Sequence, residues 1–216
     1  MAKVGASWKG EQVGLAVDTS LGTQIGRYEL VQISENTTTD NQMMIGLCNT
    51  DAAGRENAFG VALRDYPYVP QVYTPDGRVV SDISNFDADK KTTLATRLEG
   101  TTWFKVKIPS GGTDVTISAG NRLVPSTQSP GGVEPKPAST LTASYASADV
   151  IADIKEERIT VGRALTPIFI LPAGETAGSI KSWSGPSMKG WTPVATLTAL
   201  TNGETSGYVF GKLGKG

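Results

Sequence analysis

The sequence predicts a mostly-β protein: a barrel or tulip-like β domain with long loops, an N-terminal arm and a C-terminal β extension. Three observations predict it. Short apolar runs recur between turn signals from Val13 onward, the spacing of a barrel or sandwich. Gly 25 and Pro 12 are high for 216 residues, Thr and Ser are abundant, and charged residues reach only 19%. That composition suits strands and turns and not a helical bundle, whose surface would need Glu, Lys, Arg and Ala. The length is enough to bury a core without disulfide staples.

Residues 1–12 read as an arm, with small residues, no period and one large ring, Trp8. Such a ring docks either on its own domain or on a neighbouring subunit. Val13–Val17, Tyr28–Ile33, Met43–Cys48 and Ala58–Leu63 are predicted strands, each closed by a polar or glycine-containing turn, Asn49–Gly54 among them. Val69–Tyr73 and Arg78–Ser81 flank Thr74-Pro-Asp-Gly77, where Pro presets φ and Gly permits a positive value. Residues 85–99 read two ways. Phe86, Leu94 and Leu98 share a helical face, whereas Leu94, Thr96 and Leu98 alternate and could form a hairpin with the following strand; the balance favours a short helix, then a strand. Phe104, Val106 and Ile108 against Trp103, Lys105 and Lys107 make a half-buried strand.

Val115–Ile117 and Arg122–Val124 flank a turn. The Pro/Ser/Thr-rich stretch 126–145 reads as a loop or linker that cannot pack a core. Strands resume at Val150–Ile154, Ile159–Leu165 and Ile168–Leu171, and a terminal hairpin is predicted from Val194–Thr201 and Tyr208–Lys212. The organisation expected is therefore an arm (1–12), a β core (13–125 plus 146–171), the linker (126–145), and a C-terminal extension or small second domain (172–216).

Composition excludes several chemistries. With His 0, Ser-His-Asp and Cys-His catalysis and the common zinc sites are out. A single cysteine, Cys48, excludes an intrachain disulfide and a CxxC pair, and its apolar setting suggests a buried residue. The net charge of -1 gives no basic footprint for nucleic acid. No apolar run reaches membrane-spanning length, and Met1–Gly10 has no apolar signal core. No enzyme activity, cofactor, nucleic acid or membrane is expected.

The remaining motifs weigh against chemistry. Leu15-Ala-Val-Asp18-Thr19-Ser20 has the form of an aspartic-protease turn, but Ser20 replaces glycine and no second copy exists, so only a homodimer could pair two carboxylates. An Asp-initiated turn is the simpler reading. Asn85, Asp87 and Asp89 have calcium-loop spacing, but Lys90 stands at the glycine position and Thr96 at the bidentate Glu position. Gly207–Lys212 has the wrong glycine spacing for a phosphate loop. Asp153, Lys155, Glu156, Glu157 and Arg158 read as a solvated mixed-charge turn. The tryptophans in irregular segments are what anchors between proteins look like. Trp8, Lys9, Trp183 and Trp191 are accordingly the candidate contact residues, with Trp183 and Trp191 alternatively covering a small second core.

Three stretches carry a family resemblance. Ile45–Leu63, ending in Gly60-Val-Ala-Leu63, is similar to the G-V-A-L strand that follows a small-residue loop in the head decoration, or capsid cement, proteins of tailed bacteriophages. Val115-Thr-Ile-Ser-Ala-Gly-Asn-Arg-Leu-Val124 resembles their I-x-A-G-D-x-L step, and Ile159-Thr-Val-Gly-Arg-Ala-Leu165 their closing G-R-A-L strand. The order of the three carries the likeness, which spans Val13 to Leu171. The insertion at Ser126–Thr140 and the extension after Pro172 depart from the usual small member.

The resemblance implies a compact barrel or tulip domain on the outside of an icosahedral capsid. Its partners would be the major capsid protein and itself, as a homo-oligomer and most simply a trimer. It would be made in the host cytoplasm and clamp neighbouring capsomers, with no catalytic residues. The alternative of a different class is a carbohydrate- or cell-surface-binding β-sandwich of a phage or bacterial surface structure, in which Trp183, Trp191 and Tyr208 stack on sugars.

Overall fold

The structure, a computed structural model, describes residues 12–22, 24–37, 41–67, 72–73, 79–80, 93–138, 147–173 and 190–214. Trp8, Lys9, Trp183, the Thr74–Gly77 turn, the calcium-like spacing at 85–89 and the helix expected to start at 85 lie outside the described residues. Among the described residues strands hold 46% and helices 13%, so the class is mostly β, with a closed barrel and a curled sheet.

The barrel is built from β1 (Gln12–Val17), β2 (Leu30–Thr37), β3 (Met43–Leu47), β4 (Ala58–Ala62) and β7 (Thr93–Arg97), in the closed order β1-β3-β2-β4-β7. β1 and β3 run parallel, Val17 beside Ile45; the other pairings are antiparallel. Val17, Ile25, Val31, Ile45, Ala62 and Leu94 fill its interior. The segment 93–97 is therefore strand, not the end of a helix. It pairs with β1 and β4 and not with the next strand, because two barrel edges offer it a full ladder. Asn49–Gly54, expected as a turn, runs into a short helix α1 (Ala52–Glu56), whose N-cap Asp51 accepts from Gly54 N–H. β5 (Val72–Tyr73) and β6 (Val79–Val80) pair antiparallel, as the sequence Thr74-Pro-Asp-Gly77 predicts.

The second sheet has seven strands. They are β8 (Gly100–Ile108), β10 (Arg122–Pro125), β11 (Val133–Pro135), β12 (Gly162–Ala164), β13 (Ile168–Ile170), β14 (Thr192–Val194) and β16 (Thr205–Leu213). β16 is its spine: one edge pairs with all of β8, from Thr205 opposite Ile108 to Leu213 opposite Gly100, and the other with β12 and β13. Phe104, fully buried, fills the hollow of the curl. Room for it comes from Gly162 and Gly211 on facing strands, where an added Cβ would lie 2.9 Å from the Phe104 ring. The short strands β9 (Val115–Thr116) and β15 (Thr196–Leu197) pair with each other.

Three expectations change here. Val150–Ile154 is not a strand. It lies in helix α2 (Ser147–Arg158), because only a helix puts Asp153, Glu156 and Glu157 on one face, where they meet Lys136, Arg55 and Arg122. The charged run is thus helical and not a turn: Asp153, Glu156 and Glu157 are ion-paired, while Lys155, Glu157 and Arg158 are exposed as expected. Residues 194–201 and 208–212 do not form a hairpin, since β16 is already paired on both edges. The stretch 126–145 is no simple linker. Its first part turns tightly into β11 on β10, with Ser126, Ser129 and Val133 buried.

The barrel and the second sheet share a core. β2 supplies both: Val31 faces the barrel interior, while its neighbour Leu30 packs with Phe104, Val106 and Val209. Backbone bonds stitch the joint, from Lys105 N–H to Tyr28 O at 2.9 Å, Leu30 N–H to Gly131 O at 2.8 Å and Gly131 N–H to Cys48 O at 2.8 Å.

Candidate functional site

Three places gather polar or aromatic groups. The first is the joint. Glu29 follows Tyr28, whose backbone turns left-handed at φ 69, and this turn aims the carboxylate at β8. Lys105 Nζ lies 3.0 Å and Lys107 Nζ 3.1 Å from Glu29 Oε1, and Gly26 N–H donates to Oε2 at 2.8 Å. The side chain is 5% exposed. Burial works against its ionised form, but the two ammonium groups and the Gly26 N–H together hold the carboxyl below its ordinary range. Tyr208, edge-on to Tyr28 at 6.3 Å, has its phenol pushed up to about 12 by burial and by the neighbouring carboxylates.

The second is Asp18, which ends β1 and caps the 3-10 turn Thr19–Leu21. Its Oδ1 accepts from Ser20 N–H (2.9 Å) and Ser20 Oγ (2.6 Å), and Oδ2 from Ser34 Oγ (2.5 Å) and Asn36 Nδ2 (2.8 Å). These donors, Ser20 first, keep it far below the usual carboxylate range. A carboxylate so fully engaged closes a turn onto β2 and has no free lone pair directed at a substrate. Cys48 is 1% exposed, and burial pushes its thiol up to about 12: an inert core residue, as its apolar setting predicts.

The third is the surface. Trp191 is half-buried, its ring 5.5 Å from Trp103, 6.2 Å from Phe169 and 6.5 Å from Tyr208. It covers an aromatic cluster on the outer face of the second sheet. Tyr208 is 4% exposed, so the sugar-stacking platform loses that ring to the interior. Helix α2 pairs three of its acids with the rest of the domain: Glu156 with Arg55 at 3.4 Å, Asp153 with Lys136 at 3.2 Å, and Glu157 with Lys136 at 3.1 Å and with Arg122. Its isoleucines face water, Ile151 at 54% and Ile154 at 48%. That is the reverse of an ordinary amphipathic helix.

Two clefts accompany these groups. One of about 160 Å³ lies between barrel and second sheet, lined by Arg55, Phe59, Arg158 and Val161 among others. The other, about 210 Å³, is lined by Asp18, Gln32, Ser34 and Asn49 among others. Both are smaller than ordinary small-molecule sites. Among the described residues no three His, Cys, Asp or Glu side chains are grouped to hold a metal ion, and no helix is long and apolar enough to cross a membrane.

The sequence places Lys105 and Lys107 on one face of a strand. Nothing local points to Glu29, 76 residues away. The outward isoleucines are likewise invisible until Val150–Ile154 is known to be helical. Comparison with protein families, with curated proteins and with solved structures finds no match.

Proposed function

We propose that this chain is a structural adhesion protein of the head decoration type, which binds the outside of an icosahedral phage capsid and bridges neighbouring capsomers. The observation that carries the reading is helix α2, which uses its charges to dock on its own domain and leaves Ile151 and Ile154 in water. Exposed aliphatic side chains on a rigid element are a cost in an isolated protein and a contact in an assembled one. The three stretches that resemble decoration proteins support it. They fall on β3–α1–β4, on β9–β10 and on β12. Interfaces of this kind bury about 800 Å² per partner and gain strength by repetition around a shell.

The partners in this reading are the major capsid protein and further copies of the chain, as a trimer, with the arm 1–12 and Trp8 reaching a neighbour. The test is co-sedimentation of the purified chain with expanded and unexpanded shells of the virus that carries it. Saturable binding to expanded shells alone is the expected result. Equal binding to both, or to neither, refutes the reading. A chain lacking residues 1–12 that still reaches full occupancy removes the arm from it.

A further inference from the structure

The outward face of the second sheet carries a row of cations set by strand register. Arg122 on β10 lies directly opposite Arg163 on β12, and Arg163 directly opposite Lys212 on β16. Residues directly opposite in an antiparallel pair point to the same face, with Cβ atoms about 5 Å apart. Gly162 and Ala164 beside Arg163 are buried, as is Leu213 beside Lys212, while Arg163 and Lys212 are exposed. The row therefore points to solvent.

Like charges directly opposite destabilise a sheet. One of the three is neutralised from within, since Glu157 of α2 pairs with Arg122. Arg163 and Lys212 have no ion-pair partner among the described residues. The chain as a whole has a net charge of -1, so this is a local arrangement and not part of a general positive surface.

We infer that the Arg122–Arg163–Lys212 row is a docking site for an acidic protein surface. Charge complementarity selects carboxylates, which an arginine fork grips in two-point fashion. Leu165, two residues after Arg163 on the same side of the chain, is 48% exposed, and Val161, two before it, is half-buried. An aliphatic strip beside the cations fits a partner that offers apolar side chains between its acids. It does not fit a phosphate backbone, whose binding grows with the number of cations. The inference stands apart from the capsid reading, because it specifies the partner's chemistry and not its identity.

The test uses the full chain and a short fluorescent peptide in which glutamate alternates with valine, with duplex DNA of similar charge as the second probe. The double variant Arg163→Gln/Lys212→Gln is expected to bind the peptide at least tenfold more weakly than the parent. Lys155→Gln, a cation on α2 outside the row, is expected to leave binding unchanged. Both variants alter exposed side chains only, and relief of repulsion predicts a melting temperature for the double variant no lower than the parent's. Equal peptide affinity in parent and double variant overturns the inference. So does failure of the parent to bind the peptide, or tighter binding of DNA through the same two residues.

Discussion

Replacing Glu29 by glutamine removes one negative charge from the joint between barrel and second sheet and keeps the shape of the side chain. The carboxylate is 5% exposed and touches two ammonium groups, at 3.0 and 3.1 Å. Breaking a buried ion pair by deleting one partner costs about 3–5 kcal/mol, because the other charge is left uncompensated. Two features reduce that figure here. Lys105 and Lys107 are 18% and 11% exposed and can turn toward water, and Lys107 keeps Glu204 at 3.5 Å. The lower end, about 3 kcal/mol, is therefore expected, a fall in Tm of about 6–12 °C for a domain of this size.

Urea unfolding at neutral pH measures this directly, and a double-mutant cycle with Lys105→Met isolates the pair. The pH dependence follows in sign. The folded state holds Glu29 below its ordinary range, so its contribution is complete above the unfolded value near 4.3 and is lost as pH falls through the lower folded value. The gap between parent and variant must close in acid. A variant within about 0.5 kcal/mol of the parent at neutral pH, with no coupling to Lys105, would refute the view that this triad ties the two halves together.

Other expectations follow from single sites. In Gly162→Ala the new Cβ would sit 2.4 Å from the Lys212 carbonyl and 2.9 Å from Phe104; a loss of about 3 kcal/mol is expected. Phe104→Leu should not rescue it, since the tighter contact is backbone. Asp18→Asn is expected to cost about 1–2 kcal/mol at pH 7, with the difference shrinking below the usual carboxylate range, because the folded pKa is depressed and its stabilisation disappears on protonation. Thermal melts from neutral to acid pH read this out. The Cys48 thiol, pushed up to about 12, is expected to resist iodoacetamide in the native protein and to react fully in denaturant; rapid native labelling would contradict its burial.

Local pattern was enough where a strand's partners did not matter. The alternation in Phe104, Val106 and Ile108, and the apolar runs at 13–17, 43–48 and 58–63, correspond to strands in the structure, the last two ending one residue earlier. It was not enough where the outcome depended on distant residues. Val150–Ile154 has the β-branched content of a strand, yet three acids at helical spacing find Lys136, Arg55 and Arg122 elsewhere in the chain, and that pairing decides its conformation. The proline-rich stretch looked unable to pack, but Val133 is 1% exposed: one apolar residue and a two-strand ladder suffice when the neighbouring core supplies the rest. Glu29, buried at the joint, was missed because its partners lie on another sheet. The sequence singles out Trp191 as a contact residue but carries no sign of its partner, the buried Trp103 against which its ring lies.

The spine of the second sheet comes late in the chain. All five barrel strands fall within residues 12–97, whereas β16 spans Thr205–Leu213 and separates β8 from β12 and β13. During synthesis the barrel can close while ribosomes are still adding the rest. The strand at 100–108 must then wait, with one edge unmatched across its whole length, until about a hundred further residues have been joined. An unmatched strand edge is what another copy can pair with, so the interval before β16 is made is when the growing chain is open to misassembly with a neighbour.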